Sequence, residues 1–123
     1  MEEVYLSFGS NFGDKKANVE RALAWIETML HDVRKSKVYE TPEVHGFGSS
    51  YYNAVVKGDS ELGYEEFNLR LKEYERASGR TPDARLRKEV PIDIDIVLWH
   101  GEVKRPVDFS REFFSSGYDE INL

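Results

Sequence analysis

The chain has 123 residues, 40% apolar and 33% charged, with a formal net charge of −6 and no cysteine. This suits one globular domain, residues 1–123, around one core. It argues against nucleic-acid binding driven by overall charge and excludes disulfides and thiolate metal sites.

No stretch approaches the roughly 18 to 20 apolar residues of a membrane-spanning helix. The opening MEEVYLSFGS has no basic-then-apolar leader pattern, so a soluble, cytoplasmic protein with no membrane partner is expected. VYLSFGS (4–10) reads as a strand, with Val4, Leu6 and Phe8 alternating against Tyr5, Ser7 and Gly9. NFGD turns the chain, and Asp14 is placed to cap a helix carrying Val19, Ala22, Leu23, Ile26, Met29 and Leu30 at helical spacing. VRKSKVYE (33–40) reads as one polar edge strand, TPEVHGFGSS (41–50) as a loop and YYNAVVKGD (51–59) as the next strand. Tyr64, Phe67, Leu71 and Tyr74 mark a second helix that Gly79 is placed to end. RTPDARLRKEV (80–90) is a basic loop, PIDIDIVLW (91–99) a strand, and a short polar tail follows. The order βαββαβ predicts a ferredoxin-like α+β sandwich, an antiparallel sheet with helices packed on one face.

The last strand is unusual. Ile92, Ile94, Ile96 and Leu98 share one face, while Asp93 and Asp95 share the other, their Cα atoms roughly 6.5 to 7 Å apart. Two close carboxylates are either solvated beside basic groups or held for a divalent cation. Mg²⁺ takes oxygen ligands and commonly uses one or two carboxylates plus substrate phosphates. Arg80, Arg85, Arg87 and Lys88 stand just upstream, a combination suited to phosphoryl transfer. GSNFGD (9–14) lacks the ending of a phosphate-binding P-loop and reads as a tight turn. Tyr51 and Asn53 share a strand face and are either structural or a clasp for a flat heterocycle. His45 and His100 read as loop residues, Trp25 and Trp99 as packing, and Glu73 and Glu75 as solvated helix charges.

Together, YLSFGSNFGD, VYETPEVHGF, YYNAVV, EYERASGR and IDIDIVLW resemble, in order, the 6-hydroxymethyl-7,8-dihydropterin pyrophosphokinase family. The resemblance runs over about residues 3–101 and resumes at REFF. It implies an ATP-dependent diphosphotransferase of folate biosynthesis, moving a diphosphoryl group from ATP to the pterin's hydroxymethyl oxygen. Two Mg²⁺ ions would sit on Asp93 and Asp95, with Arg80 also catalytic. Thr41, Pro42, Val44, Tyr51, Asn53 and Phe113 match the pterin site, with Tyr51 and Phe113 sandwiching the ring. Lys72, Glu75, Arg80, Ile96 and Arg111 match positions on the ATP side; Arg85, Arg87, Lys88 and Arg105 are candidates there by charge. The partners the resemblance implies are ATP and a dihydropterin; no nucleic acid is expected, and a monomer is expected rather than an oligomer.

The chain also departs from the pattern. Arg87, Lys88, Glu89 and Val90 stand where the family has tryptophan, any residue, proline, arginine. VKRPVDFSREFF (103–114) replaces a Pro-His-Pro-like segment in a shortened C-terminal part. These departures define the alternative: a catalytically weak homologue that binds a pterin or nucleotide in a regulatory role.

Overall fold

The computed structural model describes residues 1–42 and 49–123; Val44 and His45 lie outside the described residues. The elements are β1 (Glu2–Ser10), α1 (Lys15–Ile26), β2 (His31–Lys35), β3 (Tyr39–Thr41), β4 (Tyr51–Ser60), α2 (Tyr64–Ala77), α3 (Pro82–Leu86), β5 (Asp93–Trp99), β6 (Glu102–Val103), α4 (Pro106–Ser110) and α5 (Glu112–Ile121). The sheet order is β2-β4-β1-β5-β6, with β3 also on β4, and the pairings are antiparallel. This is the expected α+β, ferredoxin-like arrangement. Among the described residues no helix is long and apolar enough to cross a membrane.

β1 lies at the centre and is buried from Val4 to Ser10. Its residues Val4, Leu6 and Phe8 meet Ala54, Val56, Ile94 and Ile96 on one face, where α1 and α2 add Val19, Ala22, Leu23, Ile26, Phe67 and Leu71. Asp14 caps α1 as expected, its carboxylate accepting from the Ala17 N–H at 3.2 Å. Gly79, at φ +106°, ends α2. The Arg80 N–H then bonds back to the Glu75 carbonyl at 3.1 Å, so the glycine turn folds Arg80 onto the helix it has just left.

Three local expectations are corrected. The 33–40 strand is two strands, because Ser36 interrupts it. Its hydroxyl accepts from the Val55 N–H at 2.9 Å and donates to the Lys37 carbonyl at 2.8 Å. The 80–90 loop contains α3, with Thr81 accepting from the Ala84 N–H at 3.2 Å and Pro82 in the first turn. The tail is not polar: Phe114 and Ile121 of α5, flanked by Phe109, Phe113 and Tyr118, pack with Tyr5, Val55 and Val97 on the second face of the sheet.

α5 approaches the sheet at Gly117. A Cβ there would lie 2.5 Å from Val55 Cγ2 and 2.8 Å from Val55 Cβ. The Tyr39 hydroxyl completes the joint, donating to the Phe113 carbonyl and accepting from the Gly117 N–H at 3.2 Å. Gly117→Ala is therefore expected to destabilise the fold by about 1–3 kcal/mol, the usual cost of overpacking, measured as a lower denaturant midpoint. An unchanged midpoint would mean that α5 does not sit this close.

Candidate functional site

The second sheet face, half covered by α5, carries an open cavity of about 370 Å³. Its floor follows from strand register. Gly9 of β1 lies between Asn53 of β4 and Asp93 of β5, and Ser7 lies between Val55 and Asp95. Small residues on the central strand leave a trough, with an aromatic and an amide on one bank and two carboxylates on the other. Adjacent strands lie about 4.8 Å apart, so the banks are separated by roughly twice that. Thr41, Pro42, Tyr51 and Asn53 form one end; Arg105, Val107, Asp108, Arg111 and Phe113 wall the cavity from the C-terminal segment. Asn53 is buried, and its amide donates to the Thr41 hydroxyl at 2.6 Å and the Tyr51 carbonyl at 3.3 Å. That fixes which edge of the amide it offers.

At the other end, Asp93 is paired with Arg80, and Asp95 with Lys72 at 3.3 Å and Arg105 at 4.0 Å. Behind them stands Glu75, 2% exposed. This corrects its reading as a solvated helix charge; Glu73 is exposed as expected. The Glu75 carboxylate accepts from the Ile94 N–H at 2.8 Å, from Lys72 at 3.0 Å and from Arg80 at 3.2 Å. Lys72 also donates to the Ile94 carbonyl at 3.0 Å. Strand β5 pairs with β1 on one side only at this level, and α2 supplies the partners for its outward-facing Ile94 peptide groups.

Burial and the neighbouring Asp93 charge push the Asp95 carboxyl up to about 7. Burial also works against ionised Asp93, but the hydrogen bond shared with Asp95 and the Arg80 and Lys72 charges hold it below the usual range. Burial, then Asp93, raises Glu75. Burial opposes the charges on Lys72 and Arg80, and the surrounding carboxylates outweigh it, raising both. The aspartate pair thus shares one proton near neutrality. This donor chemistry suits a divalent cation, which Asp93 and Asp95 would hold in place of that proton. Among the described residues no cluster of three or more His, Asp or Glu side chains forms a complete metal cage, so other oxygens would have to complete the coordination sphere.

The structure gathers most expected site residues. Thr41, Pro42, Tyr51, Asn53, Asp93, Asp95, Arg105, Arg111 and Phe113 line the cavity; Lys72, Glu75 and Arg80 stand directly behind the aspartates. Ile96 is buried with its side chain in the opposite core. Arg85, Arg87 and Lys88 are exposed on and after α3 and do not line the cavity, and Arg87 pairs with Glu89 at 2.8 Å. Sequence reasoning missed Ser7, Gly9, Val107 and Asp108. Ser7 and Gly9 were signalled by two small residues on one face of an otherwise bulky strand. Asp108, which binds Arg105, had no comparable signal.

The family model for 7,8-dihydro-6-hydroxymethylpterin-pyrophosphokinase matches residues 5–122. The chain is 35% identical over 105 residues to the mitochondrial folate synthesis bifunctional protein of Pisum sativum, covering 84% of this chain and 20% of that protein. It is similar to two proteins named 2-amino-4-hydroxy-6-hydroxymethyldihydropteridine pyrophosphokinase. That of Aquifex aeolicus is 35% identical over 107 residues, 85% of this chain and 66% of its own length. That of Porphyromonas gingivalis is 39% identical over 103 residues, 80% of this chain and 69% of its own. The chain thus spans a fifth of the pea protein and about two thirds of the bacterial ones.

The shared proton has a consequence for stability. Asp95 titrates near 4 when unfolded and at about 7 when folded, so between those values the folded state binds more protons. Its contribution to stability therefore falls as pH rises through that window and levels off above it. Asp93, shifted the other way, acts only at the acid end. Without divalent cation, wild type is expected to lose more stability than Asp95→Asn between about pH 5 and pH 7.5, measured by denaturant unfolding. Equal pH dependence would mean that Asp95 is ionised throughout.

Proposed function

The chain belongs to the 7,8-dihydro-6-hydroxymethylpterin-pyrophosphokinase family, and we propose that it transfers a diphosphoryl group from ATP to 6-hydroxymethyl-7,8-dihydropterin, releasing AMP. The observation that carries this is the trough itself. Asn53, Tyr51 and Phe113 can clasp a flat heterocycle at one end, while Asp93 and Asp95 stand across Ser7 and Gly9 at the other. A hydroxymethyl group on the heterocycle's edge would reach toward the carboxylate bank.

In the reaction, the hydroxymethyl oxygen forms a bond to the β-phosphorus. The bond from that phosphorus to the oxygen bridging the α- and β-phosphates breaks, AMP keeps that oxygen, and the hydroxyl proton leaves to solvent. Asp93 and Asp95 would hold two Mg²⁺ ions together with the triphosphate, and these supply charge neutralisation on the phosphate oxygens. Arg105 and Arg111, on the cavity wall, and Arg80, behind Asp93, offer guanidinium groups to the same oxygens. Tyr51 and Phe113 supply apolar faces for ring stacking. The amide of Asn53, held by Thr41, reads the ring's edge. The work is positioning and charge compensation. The protein acts as a cytoplasmic monomer on two small molecules and not on nucleic acid, in keeping with its negative formal charge.

One observation favours the second reading, a weakly active binding homologue with a regulatory role. Arg85, Arg87 and Lys88 lie off the cavity wall, and no tryptophan stands among them. The two readings separate in one assay. With ATP, Mg²⁺ and the dihydropterin, AMP should form only when all three are present, and Asp95→Ala should reduce its formation at least about 100-fold, the scale for loss of a charge-stabilising group. Pterin and nucleotide binding without AMP would establish the binding homologue instead. Asn53→Ala is expected to weaken pterin binding by about 1–3 kcal/mol in a fluorescence titration; unchanged affinity would place the heterocycle elsewhere.

A further inference from the structure

We propose that Lys72 makes divalent-cation binding at the Asp93–Asp95 pair conditional on the presence of nucleotide phosphate. This rests on the metal role proposed for the aspartates and adds a residue that controls it.

The argument begins with the ammonium's three N–H bonds. Lys72 Nζ lies 3.0 Å from Glu75 Oε2, 3.0 Å from the Ile94 carbonyl oxygen and 3.3 Å from Asp95 Oδ1. An ammonium has three donors and no acceptor, so all three are used. Two of these acceptors do not belong to the open site. Ile94 O is β5 backbone, and the Glu75 carboxylate is itself fixed by the Ile94 N–H at 2.8 Å. These two bonds tether the ammonium to the strand edge. The third, and longest, points at the carboxylate bank. Lys72 is therefore a fixed positive charge beside Asp95, not a surface lysine that happens to touch it.

A fixed cation beside a metal ligand has a definite electrostatic effect. A bare dication arriving at Asp95 meets an ammonium that its two other bonds keep from withdrawing. Arg80, bonded to both Glu75 and Asp93, and Arg105 at 4.0 Å from Asp95 add to the same field. A triphosphate reverses the balance. Its oxygens give the dication further ligands, bring negative charge, and accept the N–H that Asp95 releases. The same lysine that repels the metal alone thus attracts the metal–nucleotide pair. Thermodynamic reciprocity requires the converse, with metal strengthening nucleotide binding by the same factor.

The test uses Mn²⁺ as the probe, with free ion counted by electron paramagnetic resonance, on the intact chain. Wild type, Lys72→Gln and Lys72→Arg are compared without nucleotide and with a non-hydrolysable ATP analogue. Glutamine keeps a donor for the tether and removes the charge; arginine keeps the charge. Without nucleotide, Lys72→Gln is expected to bind Mn²⁺ at least about tenfold more tightly than wild type, the order given by removing one partly screened charge a few ångströms away. Lys72→Arg should match wild type, and adding Asp95→Ala to Lys72→Gln should abolish the gain. With the analogue present, the difference between Lys72→Gln and wild type should shrink or reverse. Equal Mn²⁺ affinity of wild type and Lys72→Gln without nucleotide, whether both bind or neither does, would overturn the inference. A gain that survives Asp95→Ala would also overturn it, because the ion would then be elsewhere. Failure of the proposed reaction shows separately, as absence of pterin-dependent AMP from wild type.

Discussion

The site depends on how the exposed edge of β5 is satisfied. A strand edge presents unpaired N–H and C=O groups, and burying them without partners costs about 1–3 kcal/mol each. Here the edge at Ile94 is closed by side chains of α2: Glu75 accepts from the N–H and Lys72 donates to the carbonyl. A buried carboxylate is itself costly unless paired, so Lys72 and Arg80 follow from Glu75. Their remaining donors then fall on Asp95 and Asp93. One edge peptide unit, closed by charge, thus sets the electrostatics of the whole carboxylate bank.

The same constraint explains why the glycine that ends α2 matters to chemistry. Gly79 adopts positive φ, the Arg80 N–H returns to the Glu75 carbonyl, and the guanidinium reaches both Glu75 and Asp93. A helix that continued straight would carry residue 80 away. Across the trough, the Tyr39 hydroxyl spans from β3 to the Phe113 carbonyl and the Gly117 N–H. The Asn53 end of the trough is therefore built by joining a strand to the C-terminal helix, and the carboxylate end by joining a strand edge to α2. The sheet carries both ends, and its central strand keeps Ser7 and Gly9 small between them.

The sequence was legible where one local rule decides. Alternation placed β1 and β5 and put Asp93 and Asp95 on a common face; Asp14 and Gly79 marked helix ends because capping is a local geometry. Glu75 continues the buried Phe67–Leu71 stripe at helical spacing; it was misread because a carboxylate is placed in solvent unless buried partners are known, and its partner, the Ile94 N–H, comes from another element. The tail was misread for a different reason. Its Phe109, Phe113, Phe114, Tyr118 and Ile121 form an apolar stripe at helical spacing, but a βαββαβ reading leaves that sheet face without a covering element to look for. Ser36 breaks its strand through a hydroxyl-to-backbone bond that depends on Val55 lying opposite, and pairing of that kind is not written in either segment alone.

The missing tryptophan and the altered C-terminal segment gain meaning from this geometry. With Arg85, Arg87 and Lys88 off the cavity wall, positive charge reaches the aspartates from elsewhere: Lys72 from α2, Arg80 from just after it, and Arg105 from the segment before α4. Arg105 is held by Asp108, and its charge is sustained first by that contact and then by Asp95. The chain thus compensates its carboxylates from α2, from Arg80 at the start of the basic segment and from the segment before α4. Cations held in ion pairs within the fold need no loop closure to come into place, so charge compensation here is built into the folded state.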